Sequence, residues 1–160
     1  MSDIGRVHHV GLTVRDIERS VTFYSDLLEC TVVMRQEKTG GYLAQIVGYP
    51  EASVRMAHLR APSGELIIEL FEYVHPATMD VDLEPARVGN AHICFLLPDL
   101  DAVHDRLVAR GVEFLSAPAV IDTGVNTGGK GIYLRDPDGI TLELFQPAPS
   151  SDAGRSIYAS

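Results

Sequence analysis

The same sentence occurs twice in this chain, and that repetition limits the folds open to it. His9 opens the run H-V-G-L-T-V-R-D-I-E, and His92 opens H-I-C-F-L-L-P-D-L-D, 83 residues later. In both runs an apolar stretch follows the histidine and an aspartate stands seven residues on, at Asp16 and Asp99. Each half closes on a matching phrase, I-E-L-F around Glu69 and L-E-L-F around Glu143. Two like halves call for two like supersecondary modules. Each half supplies one histidine and one glutamate, so the two together supply four metal-ligand side chains.

Periodicity gives each half the same order. Val7 to Val14 reads as a strand, and Asp16 as the N-cap of a helix whose apolar stripe is Ile17, Val21, Tyr24 and Leu28. Thr31 to Glu37 is the next strand, and Gly40-Gly41 interrupts the pattern before Tyr42 to Val47, read as a short extra strand. Val54 to Ala61 and Leu66 to Tyr73 form a hairpin through Pro62-Ser63-Gly64. In the second half Asn90 to Leu97 is a strand, and Asp99 caps a helix carrying Leu100, Val103 and Leu107, stopped at Gly111. Val112 to Ser116 is a strand, and Gly131 to Arg135 and Ile140 to Phe145 pair across the turn Asp136-Pro137-Asp138-Gly139. The reading is α+β: one 1–160 domain of two tandem β-α-β-β-β modules, 6–73 and 90–147, with a linker at 74–89 and a flexible tail at 148–160.

Side chains alternate along a strand, so parity assigns the faces. His9 shares a face with Gly11 and Thr13, and His92 shares one with Cys94 and Leu96. Glu69 falls with Ile67 and Phe71, away from Ile68 and Leu70; Glu143 falls with Thr141 and Phe145, away from Leu142 and Leu144. An unpaired carboxylate in such apolar runs costs several kcal/mol or takes up a proton. A divalent cation removes that penalty, and imidazole with carboxylate suits Zn, Ni, Co, Mn or Fe(II). His9, Glu69, His92 and Glu143 are therefore the candidate ligands. With a two-residue loop at Ser63-Gly64, His58 would stand opposite Glu69 as a separate acid; one residue of slip turns it away. Core packing is the expectation for Tyr133 and a buried inert thiol for Cys94. Arg35 and Lys130 are candidates for an anionic substrate tail, with surface solvation the simpler reading. His8, His75 and His104 have no repeated partner and receive no role.

The bulk numbers exclude other classes. A net charge of −9 and no Lys/Arg cluster argue against nucleic acid or an anionic membrane surface as partner. No apolar run is long enough for a membrane span, and the N-terminus has no basic end followed by an apolar core. Two cysteines are too few for a disulfide framework, which points to a reducing, cytoplasmic setting.

The segments H-V-G-L-T-V-R-D-I-E-R-S, H-I-C-F-L-L-P-D-L-D-A-V, L-V-A-R-G-V-E-F and L-R-D-P-D-G-I-T-L-E-L-F resemble the vicinal oxygen chelate superfamily over roughly residues 6 to 147. That group holds glyoxalase I, methylmalonyl-CoA epimerase, extradiol dioxygenases and bleomycin- or fosfomycin-resistance proteins. The resemblance implies two modules whose curved sheets form a cup, a homodimer, and the family's ligands at His9, Glu69, His92 and Glu143. It also implies one divalent metal ion per chain, with Ni, Zn or Co favoured and Fe or Mn as further options. The substrate implied is a small molecule with vicinal oxygens or an acyl thioester. The chemistry implied is proton abstraction and return α to a carbonyl through a metal-stabilised enediolate, with Glu143 or Glu69 as the base. Extradiol-type ring cleavage and small-molecule binding or antibiotic resistance are the alternatives.

Overall fold

The computed structural model describes residues 5–62 and 64–149. Ser63 of the hairpin loop and most of the tail at 148–160 lie outside the described residues. The chain divides into two compact units, Met1–Val81 and Asp82–Ser160.

The first unit is a four-stranded sheet in the order β1-β4-β3-β2, made of β1 His9–Thr13, β2 Thr31–Thr39, β3 Ser53–Arg60 and β4 Ile67–His75. The second has the same order, β5-β8-β7-β6, made of β5 Ile93–Leu96, β6 Ala119–Val120, β7 Lys130–Arg135 and β8 Thr141–Gln146. In each unit the first strand pairs parallel with the last, and the remaining neighbours are antiparallel. The two sheets with few helices make the fold α+β.

Each sheet buries the face that carries no candidate ligand. Leu59, Ile68 and Leu70 are fully buried in the first unit, and Leu134, Leu142 and Leu144 in the second. Helix α1, Ile17–Thr22, packs on β3 and β4 and continues as a π-helical turn, Phe23–Leu27. Ile17, Val21, Tyr24 and Leu28 are all buried, as the stripe requires, and the wider turn brings Phe23 inward beside Tyr24. Helix α3, Leu100–Val108, packs on β8 through Leu100 and Leu107.

The helix starts are tied to the sheets in the same way twice. Asp16 Oδ1 accepts the backbone N–H of Glu18 and Arg19 at 3.0 Å, and Asp99 Oδ1 accepts that of Ala102 at 3.0 Å. The first helical N–H is taken by the side chain three residues beyond the candidate glutamate. Ile17 N donates to Glu72 Oε2 at 3.0 Å, and Leu100 N donates to Gln146 Oε1 at 2.8 Å. Each helix is thereby fixed to the strand that carries Glu69 or Glu143.

Three expectations need correction. Residues Gly41–Val47 form a helix, α2, not a short strand. An apolar run this short does not distinguish the two by periodicity; Leu43 and Val47, four apart, pack against Ala52, Val54 and Met56. Gly48, at φ 76°, closes the helix with its N–H on Ala44 O at 3.0 Å. The fourth strand of the second sheet is Ala119–Val120, not Val112–Ser116. Phe114 makes only an isolated bridge to Leu134 and lays its ring 4.7 Å from that of His104 on α3. Finally, β5 starts at Ile93 rather than Asn90. Asn90 Nδ2 instead donates to Glu84 O at 2.6 Å, holding the chain to the preceding turn.

Candidate functional site: two histidine–glutamate pairs

In the first unit, register brings three chemically active side chains to one face. Gly11 stands beside Glu69 in the parallel pair β1–β4, which puts His9 two residues away on the same face. His58 stands opposite Glu69 in the antiparallel pair β3–β4, so the hairpin adopts the register that turns His58 toward the glutamate. His9 Nε2 lies 3.2 Å from Glu69 Oε2, and His58 Nε2 lies 2.6 Å from Glu69 Oε1. The Glu69 side chain is 15% exposed and that of His9 41%, so the carboxylate is sheltered while the imidazole faces outward. A Cβ at Gly11 would sit 3.8 Å from Glu69 Oε2, an ordinary contact, so the position lies directly beside the carboxylate.

The second unit repeats the pair with different neighbours. His92, immediately before β5, places Nε2 3.1 Å from Glu143 Oε2. Cys94 takes the place of Gly11 beside Glu143, and Tyr133 takes the place of His58 opposite it. The Tyr133 ring lies 5.1 Å from that of His92. Cys94 is exposed, not the buried thiol expected. The desolvation it does undergo, then the charge of Glu143 and the hydrogen bond the thiol donates to it, push its pKa up to about 12. Desolvation first, with the Glu143 and Cys94 charges after it, also raises the Tyr133 phenol.

The structure thus pairs His9 with Glu69 in the first unit and His92 with Glu143 in the second. Among the described residues no group of three or more His, Cys, Asp or Glu side chains is arranged to hold a metal ion. The donor chemistry of each pair nevertheless fits one. Two ligands about 2.1 Å from a common ion stand about 3.0 Å apart at a right angle and about 3.4 Å apart in a tetrahedron. The separations of 3.2 and 3.1 Å fall inside that interval. His8 Nδ1 lies 2.8 Å from His9 Nδ1, so the contact engages the ring nitrogen of His9 that faces away from Glu69.

Arg35 and Lys130 do not join either pair: Arg35 is engaged with Glu18, and Lys130 with Asp101. His8, which received no role in the sequence, touches the first pair because its ring meets that of His9 edge-on, with centroids 5.1 Å apart. Strand parity hides this contact, since it sends neighbouring residues to opposite faces. The adjacent histidines His8-His9 were the available signal.

The chain belongs to the Glyoxalase/Bleomycin resistance protein/Dioxygenase superfamily, whose model matches residues 6–144. It is 32% identical over 144 residues to a 2-epi-5-epi-valiolone epimerase from Actinomyces sp., a match covering 87% of this chain and 78% of that one. It is 28% identical over 159 residues to a lactoylglutathione lyase from Pseudomonas aeruginosa, covering 92% and 86% of the two chains. Among solved structures, a glyoxalase family protein from Bacillus cereus superposes with a TM-score of 0.76 at 22% identity, covering 92% of this chain and 97% of that one. That last likeness concerns the fold. Among the described residues no helix is long and apolar enough to cross a membrane.

Proposed function

We propose that this protein is a divalent-metal-dependent enzyme that removes and returns a proton on the carbon next to a carbonyl, in the manner of a glyoxalase I-like lyase or an acyl-CoA epimerase-like isomerase. In this reading His9, Glu69, His92 and Glu143 are the four ligands of one ion per chain. Residues 6–73 and 90–147 are the two ligand-bearing modules, and 74–89 joins them. The observation that carries the reading is the duplication of one geometry, a histidine Nε2 3.2 or 3.1 Å from a glutamate Oε2, at equivalent places in two sheets. The relatives named as an epimerase and a lyase support it at the level of reaction class.

A bound ion would supply a Lewis acid that polarises the substrate carbonyl. The chain's own residues do the rest. His9 and His92 would offer Nε2 as ligand atoms. Glu69 and Glu143, sheltered on strands that the helices pin in place, provide the carboxylate that takes the α-proton and gives it back. Proton transfer by a positioned carboxylate contributes on the order of 10² to 10⁴ in rate. The two imidazoles and two carboxylates suit Ni, Zn or Co, and Fe and Mn share the same preferences. The substrate is a small molecule with vicinal oxygens or an acyl thioester. A cytoplasmic homodimer completes the reading, and light scattering in solution tests its dimeric state.

The deciding experiment is elemental analysis of the purified, unchelated protein beside Glu69→Gln, followed by solvent-deuterium exchange on hemithioacetals of 2-oxoaldehydes and on acyl thioesters. About one Ni, Zn or Co per chain, weakened in the variant, with exchange at the α-carbon, is the expected result. Iron held equally well by both proteins would turn the reading toward ring-cleaving oxygenation. Absence of metal from both would end it.

A further inference from the structure

The two pairs are geometric twins, but their surroundings differ, and the difference centres on one residue. Glu69 has both carboxylate oxygens engaged: Oε2 by His9 at 3.2 Å and Oε1 by His58 at 2.6 Å. At the matching place opposite Glu143 stands Tyr133, and the thiol of Cys94, a weak donor, hydrogen-bonds the Glu143 carboxylate. His58 is held for this contact. It sits within β3 between Ala57 and Leu59, both fully buried, and its ring lies nearly parallel to that of His9, 20° apart in plane, with centroids 6.3 Å apart.

We propose that His58 is a positioning residue for the first half of the metal site. On the reading that Glu69 is a ligand, the His58 Nε2–H donates to Oε1 and leaves Oε2 alone to face the ion beside His9 Nε2. A carboxylate gripped in this way binds through one oxygen and holds its orientation, as ligands fixed by an outer hydrogen bond do. Among the described residues Tyr133 makes no matching hydrogen bond to Glu143, which is left with the weaker thiol donor of Cys94, so the two carboxylates are held differently although they share a register. His58 acts through Glu69 and has no contact with the ion in this arrangement.

Cobalt(II) alone is the probe, added to the chelator-stripped full chain of wild type, His58→Met, His58→Gln, His58→Asn and Glu69→Gln. Competition with a chelator gives the affinity, and the visible spectrum of the bound cobalt reports the ligand geometry. Met fills the space without a donor, Asn keeps polarity but falls short of Glu69, and Gln reaches it with an amide N–H. The expected result is an affinity about 10- to 100-fold weaker in His58→Met and His58→Asn, with an altered spectrum, and recovery of both properties in His58→Gln. Wild-type affinity and spectrum in Met or Asn, with Glu69→Gln weakened, would overturn the role of His58 while leaving the metal site standing. Failure of Gln to recover what Met and Asn lose would also overturn it, since the hydrogen bond would not be the cause. No cobalt binding by wild type, or equal binding by Glu69→Gln, would remove the metal reading itself and this proposal with it.

Discussion

Glu69 and Glu143 occupy the same place in two different sheets. Each lies on the last strand of its unit, parallel to the strand that begins with or follows its histidine, and each is followed three residues on by the side chain that accepts the first N–H of the unit's helix. The equivalence extends to their histidines, at 3.2 and 3.1 Å.

If both pairs serve one ion, as proposed above, neither histidine is dispensable. His9→Ala and His92→Ala should each weaken cobalt binding by more than the roughly 10- to 100-fold that loss of an outer hydrogen-bond partner costs. Both variants should keep the circular dichroism of wild type, because both histidines are about two-fifths exposed and outside the core. Isothermal titration with cobalt measures the effect. Loss of binding in one variant and wild-type binding in the other would mean that the two pairs do not share an ion.

The doubled helix anchor makes a stability prediction. Asp16→Ala removes the acceptor for Glu18 N and Arg19 N, and Asp99→Ala removes that for Ala102 N. Each should cost about 1 kcal/mol in urea unfolding, the usual loss for an N-cap carboxylate. Glu72 also holds Arg55 in an ion pair at 2.8 Å, so Glu72→Ala should cost more than Gln146→Ala. Equal losses would mean that the exposed arginine contributes nothing.

Much of this was written in the sequence because strands and caps are local. Alternation put Ile68 and Leu70 in the core and Glu69 on the other face, and the aspartates announced both helices. The misreadings fall where a tertiary contact outweighs a short pattern. Leu43 and Val47 become helical because they close over Val54 and Met56, residues that lie beyond the next turn. Phe114 packs its ring on His104 and keeps only a single bridge to Leu134, while the regular ladder forms at the other end of β7, where Ala119 and Val120 pair with Gly131 and Lys130. The His58–Glu69 contact depended on the length of one loop, which alternation on either strand does not fix. The His8–His9 contact depended on ring rotation within a single step of chain, which parity does not describe.

Helix α2 can be tested directly. Gly48 holds φ 76°, the left-handed conformation that ends the helix. Gly48→Ala should destabilise the protein by about 1–2 kcal/mol, although a Cβ there would meet open space, because the cost lies in the backbone. Leu43→Ala should cost about 2–5 kcal/mol, as for other buried leucines. Chemical denaturation reads both. A neutral Leu43→Ala would mean that the helix contributes little to the cluster beneath it.

Cys30 gives the stability a measurable pH dependence. The residue is buried, 4% exposed, and burial lifts its thiol from 9.0 to about 11. Below pH 9 the thiol is protonated in both folded and unfolded chains, and its contribution is fully present. Between pH 9 and 11 the unfolded chain gives up the proton while the folded chain keeps it, so stability falls as pH rises. A rise of that size corresponds to at most about 3 kcal/mol. Cys30→Ala has no thiol to ionise. Its deficit against wild type should therefore be largest near pH 8 and shrink toward about pH 11, with the other groups that titrate in this range cancelling in the comparison. Unfolding free energies of the two proteins across that range supply the test, and a deficit that stays constant would place the Cys30 sulfur in contact with water.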